Sequence, residues 1–160
     1  MYAETTDHHR WLDQLVGDWV YEGSCDAGPD APPMSWSGRE SVRKLGDLWV
    51  IGEGVGSMPD QDGEMRTVMT LGFDTRRGRF CGTFVCSVFD HMFVYDGTLN
   101  DERKALTLDT EGPDFQDPAK LSKYQDIIAV EDASTRTLTS RLPGPGSGWT
   151  TFMQATYKRS

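Results

Sequence analysis

A chain of 160 residues that is 37% hydrophobic and carries 7 Phe, 7 Met, 5 Trp and 5 Tyr can bury a core without staples, and it is too aromatic for a disordered acidic chain. Its 25 acidic residues against 16 basic ones give a formal net charge of -9, a field that opposes binding to nucleic-acid backbones and anionic lipid. No apolar run reaches the roughly 20 residues that a membrane-spanning helix needs, and the polar opening MYAETTDHHR lacks the apolar centre of a signal peptide. The expectation is one domain over residues 1–160, cytoplasmic, with no nucleic-acid and no membrane partner.

Between Ala3 and Val16, the residues Trp11, Leu12, Leu15 and Val16 form an apolar stripe that suits a short helix. Thr5, Thr6 or Asp7 can cap it and Gly17 stops it. His8 and His9 point about 100° apart on such a helix, which predicts a solvent-exposed pair, not two ligands for one metal. Asp18 to Cys25 (DWVYEGSC) reads as the first strand, with Trp19 and Tyr21 on one face. The stretch DAGPDAPPM, from Asp26 to Met34, is a loop, because proline lacks the donor that a ladder requires. Ser35 to Arg43 is the second strand, and Leu48 to Gly56 the third.

Gly52, Gly54 and Gly56 occupy alternate positions of that third strand and so make one face of it bare. GEGVG is not a phosphate cradle, since the next segment is a turn and another strand, where a cradle needs a helix N-terminus. Asp60, Asp62 and Glu64 resemble the opening of a calcium loop, but the sixth and twelfth positions are Met65 and Leu71, so an Asp-Gly hairpin turn is expected. In the fourth strand Met65, Thr67, Met69, Leu71 and Phe73 share a face. The turn DTRRGR, with Arg76, Arg77 and Arg79, leads to a fifth strand in which Phe80, Gly82, Phe84 and Cys86 alternate with Cys81, Thr83 and Val85. Met92 to Leu99, Ala105 to Glu111, Leu121 to Glu131, Arg136 to Leu142 and Trp149 to Lys158 complete the set, with a second proline-bearing loop from Gly112 to Ala119.

Connections this short hold no helix, so successive strands lie antiparallel as a meander, which removes the parallel α/β folds. Ten strands must hide their edges by closure or in a second sheet. The expected fold is all-β: a closed antiparallel up-and-down barrel of about ten strands with a short N-terminal helix, a two-layer sandwich being the alternative. A barrel of that size leaves room inside for a small ligand.

Few side chains offer chemistry. Cys25, Cys81 and Cys86 are odd in number, and Cys81 and Cys86 lie on opposite faces of one strand, so buried thiols are expected. There is no nucleophile-elbow pattern and no metal-ligand spacing. The five tryptophans read as core packing at the barrel ends or under the helix. His91 shares its parity with Phe93 and Tyr95, and a pair with Tyr95 or Glu111 inside the barrel would serve as a polar anchor or a general acid/base. Glu53 has Trp49, Ile51 and Val55 on its face, and the two-sided apolar character of the strand leaves open which face turns inward.

Six segments in order, HRWLDQLVGDWVYEG (His9 to Gly23), GRESVRKLGDLWVIGEGVGSMP (Gly38 to Pro59), TLGFDTRRGRFCGTFV (Thr70 to Val85), VYDGTL (Val94 to Leu99), LTLDTEGP (Leu106 to Pro113) and FMQATYKR (Phe152 to Arg159), are similar to the bacterial family catalogued as domain of unknown function 1579. The resemblance covers essentially the whole chain and implies a calycin or lipocalin-like barrel, a fold that often holds small apolar molecules. LVGDW also resembles the opening of haem-binding nitrobindin-like barrels. Those coordinate iron through a histidine near the C-terminal strand, and Trp149 to Lys158 has none, so no cofactor is expected. The resulting expectation is noncovalent binding of a small, largely apolar molecule by Met69, Phe73, Phe84, His91, Phe93, Tyr95, Glu111, Tyr124 and Tyr157. Its alternatives are an enzyme using His91 as acid/base, and an interaction module that pairs with a second copy as a homodimer through Met34, Trp36 and the proline-rich loop.

Overall fold

Antiparallel pairing runs all the way round this chain. The computed structural model describes residues 2–26 and 29–160, so Met1 and, within the proline-rich loop, Ala27 and Gly28 lie outside the described residues. α1 (Asp7–Trp11) continues into a 3-10 turn (Leu12–Leu15), and ten strands follow: β1 (Gly17–Cys25), β2 (Met34–Leu45), β3 (Trp49–Ser57), β4 (Glu64–Asp74), β5 (Arg79–Cys86), β6 (Phe93–Leu99), β7 (Ala105–Pro113), β8 (Leu121–Asp132), β9 (Thr135–Pro143) and β10 (Trp149–Arg159). Each strand pairs with its sequence neighbours, and β1 pairs with β10 from Trp19↔Arg159 to Cys25↔Met153, so the sheet closes on itself. Closure removes the free edges that a sandwich would have had to protect.

Burial alternates with period two, as in β1, where Trp19, Tyr21 and Gly23 are buried between exposed Asp18, Val20, Glu22 and Ser24. In β3 it is the glycine face that turns inward: Gly52 and Gly54 are buried, while Glu53 is exposed and pairs with Arg43 at 3.4 Å on the outer surface. The cause lies on the neighbouring strands. A Cβ on Gly38 or Gly56 would collide with the Tyr21 hydroxyl, and one on Gly52 would stand 3.2 Å from the Glu40 carboxyl group. Large polar side chains from β1 and β2 thus occupy the volume that the glycines leave.

One end of the barrel is capped by α1 and the 3-10 turn. Leu12, Leu15, Trp19, Leu71, Phe80, Leu106 and Leu108 are each no more than 3% exposed there, and burial of such side chains stabilises by roughly 1.5–3 kcal/mol apiece. Polar contacts hold the cap in place. Trp11 Nε1 donates to the Arg103 carbonyl (2.7 Å) in the β6–β7 turn, and Trp19 Nε1 to the Leu15 carbonyl (2.9 Å). Arg159, at the end of β10, donates to the carbonyls of Val16 (2.7 Å), Gln14 (2.8 Å) and Ala133 (2.6 Å) while its guanidinium stacks on Trp19. A single side chain therefore ties the last strand to the capping segment and to the β8–β9 turn.

Two expectations change at this end and around it. His9 is not exposed: it is buried, its Nδ1 accepts the Thr6 backbone N–H (3.0 Å), and its Nε2 bonds the Phe73 carbonyl (3.0 Å). Because Nδ1 is an acceptor, the proton is on Nε2. His8 stacks on the Phe73 ring at 4.2 Å, so the 100° between adjacent helical residues places the two imidazoles around one phenylalanine. Of the tryptophans, Trp11, Trp19 and Trp36 pack inside, but Trp49 and Trp149 lie on the outer wall at 39% and 38% exposure, Trp49 covering Gly72 and Trp149 meeting Arg141.

His9→Ala removes both hydrogen bonds and leaves the Phe73 carbonyl without this donor beneath the cap. Loss of roughly 1–3 kcal/mol of unfolding free energy is expected in urea titrations, and an unchanged midpoint would show that the cap does not depend on this imidazole.

Candidate functional site

A layer of polar side chains crosses the barrel interior at mid-height. Glu40 of β2 and Arg136 of β9 form a buried ion pair, with side chains 13% and 5% exposed. The Arg136 guanidinium lies over the rings of Tyr157 (4.0 Å) and Trp19 (4.6 Å), and Tyr157 packs on Tyr21 at 5.1 Å. Across from this pair, Asp126 of β8 accepts hydrogen bonds from Tyr95 (2.5 Å to Oδ2) and Ser140 (2.6 Å to Oδ1). Removing one partner of a buried ion pair leaves an uncompensated charge and costs about 3–5 kcal/mol, so Glu40 and Arg136 are each required by the other.

The phenols and the carboxyl group of this layer are shifted by burial. Burial, and then the Asp126 charge beside it, push Tyr95 well above the ordinary phenol range. Burial and the Glu40 charge also raise Tyr157 and Tyr21, with the Arg136 guanidinium pulling Tyr157 the other way. Burial also raises Asp126, although the hydrogen bonds from Ser140 and Tyr95 pull the other way. Among the described residues, no cation pairs with Asp126.

The layer separates two unlike halves. On the capped side a cavity of only about 30 Å³ remains, lined by Leu15, Glu40, Val42, Arg136, Tyr157 and their neighbours, the size of one water. The interior at that level is filled by its own side chains, contrary to an open barrel centre. On the uncapped side, inward positions such as Trp36, Met65, Phe84, Phe93 and Leu142 are only partly buried. Together they form the apolar lining of this half, called the bowl below, with the polar layer as its floor. Phe115, Tyr124 and Phe152 form a ring cluster at its rim, with centroids 5.1–6.0 Å apart.

The larger hollows lie on the outer surface. One, of about 680 Å³, crosses β1, β2 and β10 and is lined by Glu22, Ser24, Ser35, Ser37 and Gln154. Another, of about 620 Å³, crosses β6 to β8 and includes His91, Val94, Glu111, Leu121 and Trp149.

Of the residues singled out from sequence, Phe84, Phe93 and Tyr124 face the bowl, Met69 lines the small cavity beneath the polar layer, and Tyr95 and Tyr157 belong to the floor. Phe73 faces inward at the capped end, beneath His8, and is separated from them. Glu111 is exposed on the outer face. His91 precedes β6 at the rim, where Nε2 bonds the main-chain carbonyl of Glu111 (2.9 Å) and the ring meets Phe93 edge-on. Neither a His91–Glu111 carboxylate pair nor a His91–Tyr95 pair forms inside the barrel. The reason is the register: β6 and β7 pair only from Asp96↔Asp109 to Leu99↔Leu106 and diverge beyond, with the Phe93 ring lying against Gly112. All three histidines sit at the cap or the rim, and none projects from an inward strand position.

Glu40, Asp126, Arg136 and Ser140 escaped the sequence reading. Their signal was parity: Asp126 alternates with Tyr124 and Ile128, and Glu40 with Gly38 and Val42, so each shares the face of buried neighbours.

The chain belongs to the family described as "Protein of unknown function (DUF1579)", whose model matches residues 4–159. No curated protein matches it. Among solved structures it is similar to Rv2717c from M. tuberculosis, at 11% identity over 98% of this chain and 99% of that one, with a TM-score of 0.68. It is also similar to the S-type phycobiliprotein lyase CPES from Guillardia theta (15% identity, 95% and 92% covered, TM-score 0.60) and to EF1p2_mFAP2b bound to DFHBI (12%, 96% and 99%, 0.51). At these identities the likeness is one of fold.

Because folded Asp126 holds its proton to higher pH than the unfolded chain does, its contribution to stability is present at low pH and is lost as pH rises through the raised folded value. Asp126→Asn has no such loss. The stability of the Asn variant relative to the native protein should therefore increase from the ordinary carboxylate range upward and then level off in urea titrations across pH; a difference independent of pH would contradict the raised value.

Proposed function

We propose that this member of the family binds a small, largely apolar molecule, without covalent attachment, in the uncapped half of its barrel. The observation that carries the reading is the contrast between the two halves. Leu12, Leu15, Trp19, Leu71, Phe80, Leu106 and Leu108 under the cap are almost completely buried, whereas Trp36, Met65, Phe84 and Phe93, at inward strand positions of the other half, are only partly buried. Methionine and aromatic walls adapt to varied apolar shapes, and a few convergent polar groups beneath them fix orientation, the usual composition of a small-molecule site. The solved barrel bound to DFHBI, which has the same fold, supports the reading by analogy. His91 has a smaller part, as a rim group that positions the β6–β7 opening through the Glu111 carbonyl.

A second reading is self-association through the outer face of β6 to β8. It is favoured by the exposure there of Val94 (59%), Leu121 (63%) and Met92 (54%) around Trp149, a cluster of the kind that protein contacts cover.

The two readings separate by experiment. N-phenyl-1-naphthylamine, an apolar fluorophore, should brighten on addition of the native protein and much less with Thr67→Trp, whose indole would fill the bowl from an inward position of β4. No brightening, or equal brightening with the filled variant, would remove the bowl from consideration. Sedimentation velocity should show a dimer that Val94→Lys dissociates if the outer face is a contact, and a monomer at all concentrations would dispose of that second reading.

A further inference from the structure

We propose that Asp126 is the anchor of the bowl and that the ligand it selects is an apolar molecule bearing an amine or a comparably strong N–H donor. This rests on the bowl being the binding site.

The geometry leaves the Asp126 carboxyl group as an acceptor in need of a donor. Tyr95 donates to Oδ2 and Ser140 to Oδ1, each at short range, and each oxygen keeps a further lone-pair direction. The two donors are neutral, so they orient the carboxyl group without balancing its charge. Tyr95 is 2% and Ser140 6% exposed, yet Asp126 between them retains accessible surface although it faces inward, two residues along β8 from Tyr124 at the rim. That surface opens on the barrel interior, where an apolar ligand would lie.

The other charged groups of the floor do not compete for this role. Arg136, the floor's cation, is already neutralised by Glu40, is sandwiched between Tyr157 and Trp19, and is 4% exposed. Arg136 Nε has no hydrogen-bond partner but is itself buried, so among the described residues a carboxylate ligand would find no accessible cation on the floor, and it would meet Asp126 as a like charge. An ammonium group would meet a carboxylate without a counter-ion, in surroundings of low polarity where a charge-assisted hydrogen bond is strong. The upward shift of Asp126 agrees with a charge that the protein alone leaves uncompensated.

Calorimetric titration with octylamine, 1-octanol and octanoate tests this, at about 0.15 M salt so that the overall negative charge is screened. The native protein should bind octylamine about tenfold more tightly than octanol, and octanoate most weakly. In Asp126→Asn, with folding verified by its thermal transition, octylamine and octanol should converge to within about twofold. Equal affinity for amine and alcohol in the native protein would overturn the anchor while leaving the bowl standing, and needs no variant. An amine preference that survives in Asp126→Asn would overturn the assignment to this residue. If none of the three compounds binds, both the anchor and the bowl fall.

Discussion

The interior of this barrel is organised by one positive charge that has to be accommodated. Arg136 enters from the start of β9 and cannot shed its proton, so the fold must supply a carboxylate and flat surfaces around it. Glu40 supplies the first, and Tyr157 and Trp19 supply the second. For Glu40 and Tyr21 to reach across, the strand they would otherwise strike has to be bare: Gly52 leaves room for Glu40 and Gly56 for Tyr21, while Gly54 between them leaves room for Thr67 of β4. The alternate glycines follow from these side chains; they are not a binding loop.

The same constraint divides the barrel. Once the arginine and its partners cross the middle, the capped half can only pack solid, and it does so with leucine, phenylalanine and the indoles under α1. The cap is then held by hydrogen bonds from Trp11, Trp19, His9 and Arg159 to main-chain carbonyls, which orient it over the barrel end more specifically than apolar contact alone. Among the described residues no helix covers the other end. Its inward side chains remain partly accessible.

Much of the fold was legible in the sequence because period-two alternation and short connections act locally. Met65 to Phe73 and Phe80 to Cys86 declare their faces without reference to anything distant, and strands joined by DTRRGR or by an Asp-Gly turn must pair. The site was less legible because it depends on register. His91 and Glu111 are near one another in space, but Glu111 stands between buried Thr110 and Gly112, so alternation along β7 turns its carboxylate outward, and the divergence of β6 from β7, which depends on register, leaves its carbonyl for the imidazole. Glu40 meets Arg136 across 96 residues of chain. A charged residue on an alternating strand reads as solvent-facing unless its parity is compared with its neighbours, and for Asp126 that comparison was available from Tyr124 and Ile128. Glu53 shows the opposite case: both faces of β3 looked apolar, and only the side chains arriving from β1 and β2 decide that the glycines turn inward.

Asp126 differs in kind from the charges around it. Glu40 and Arg136 neutralise each other's charge, although Arg136 Nε is left buried without a hydrogen-bond partner. Among the described residues Asp126 has only neutral donors, and burial raises its proton affinity, so its ionised form weakens the folded state. A fold that needed only a filled core would place an apolar side chain between Leu108 and Ser140, its partners in the register of β7, β8 and β9. A carboxyl group oriented by two hydroxyls and, among the described residues, without a counter-ion is therefore held in place by geometry and not by charge balance, which is the premise of the anchor proposed above.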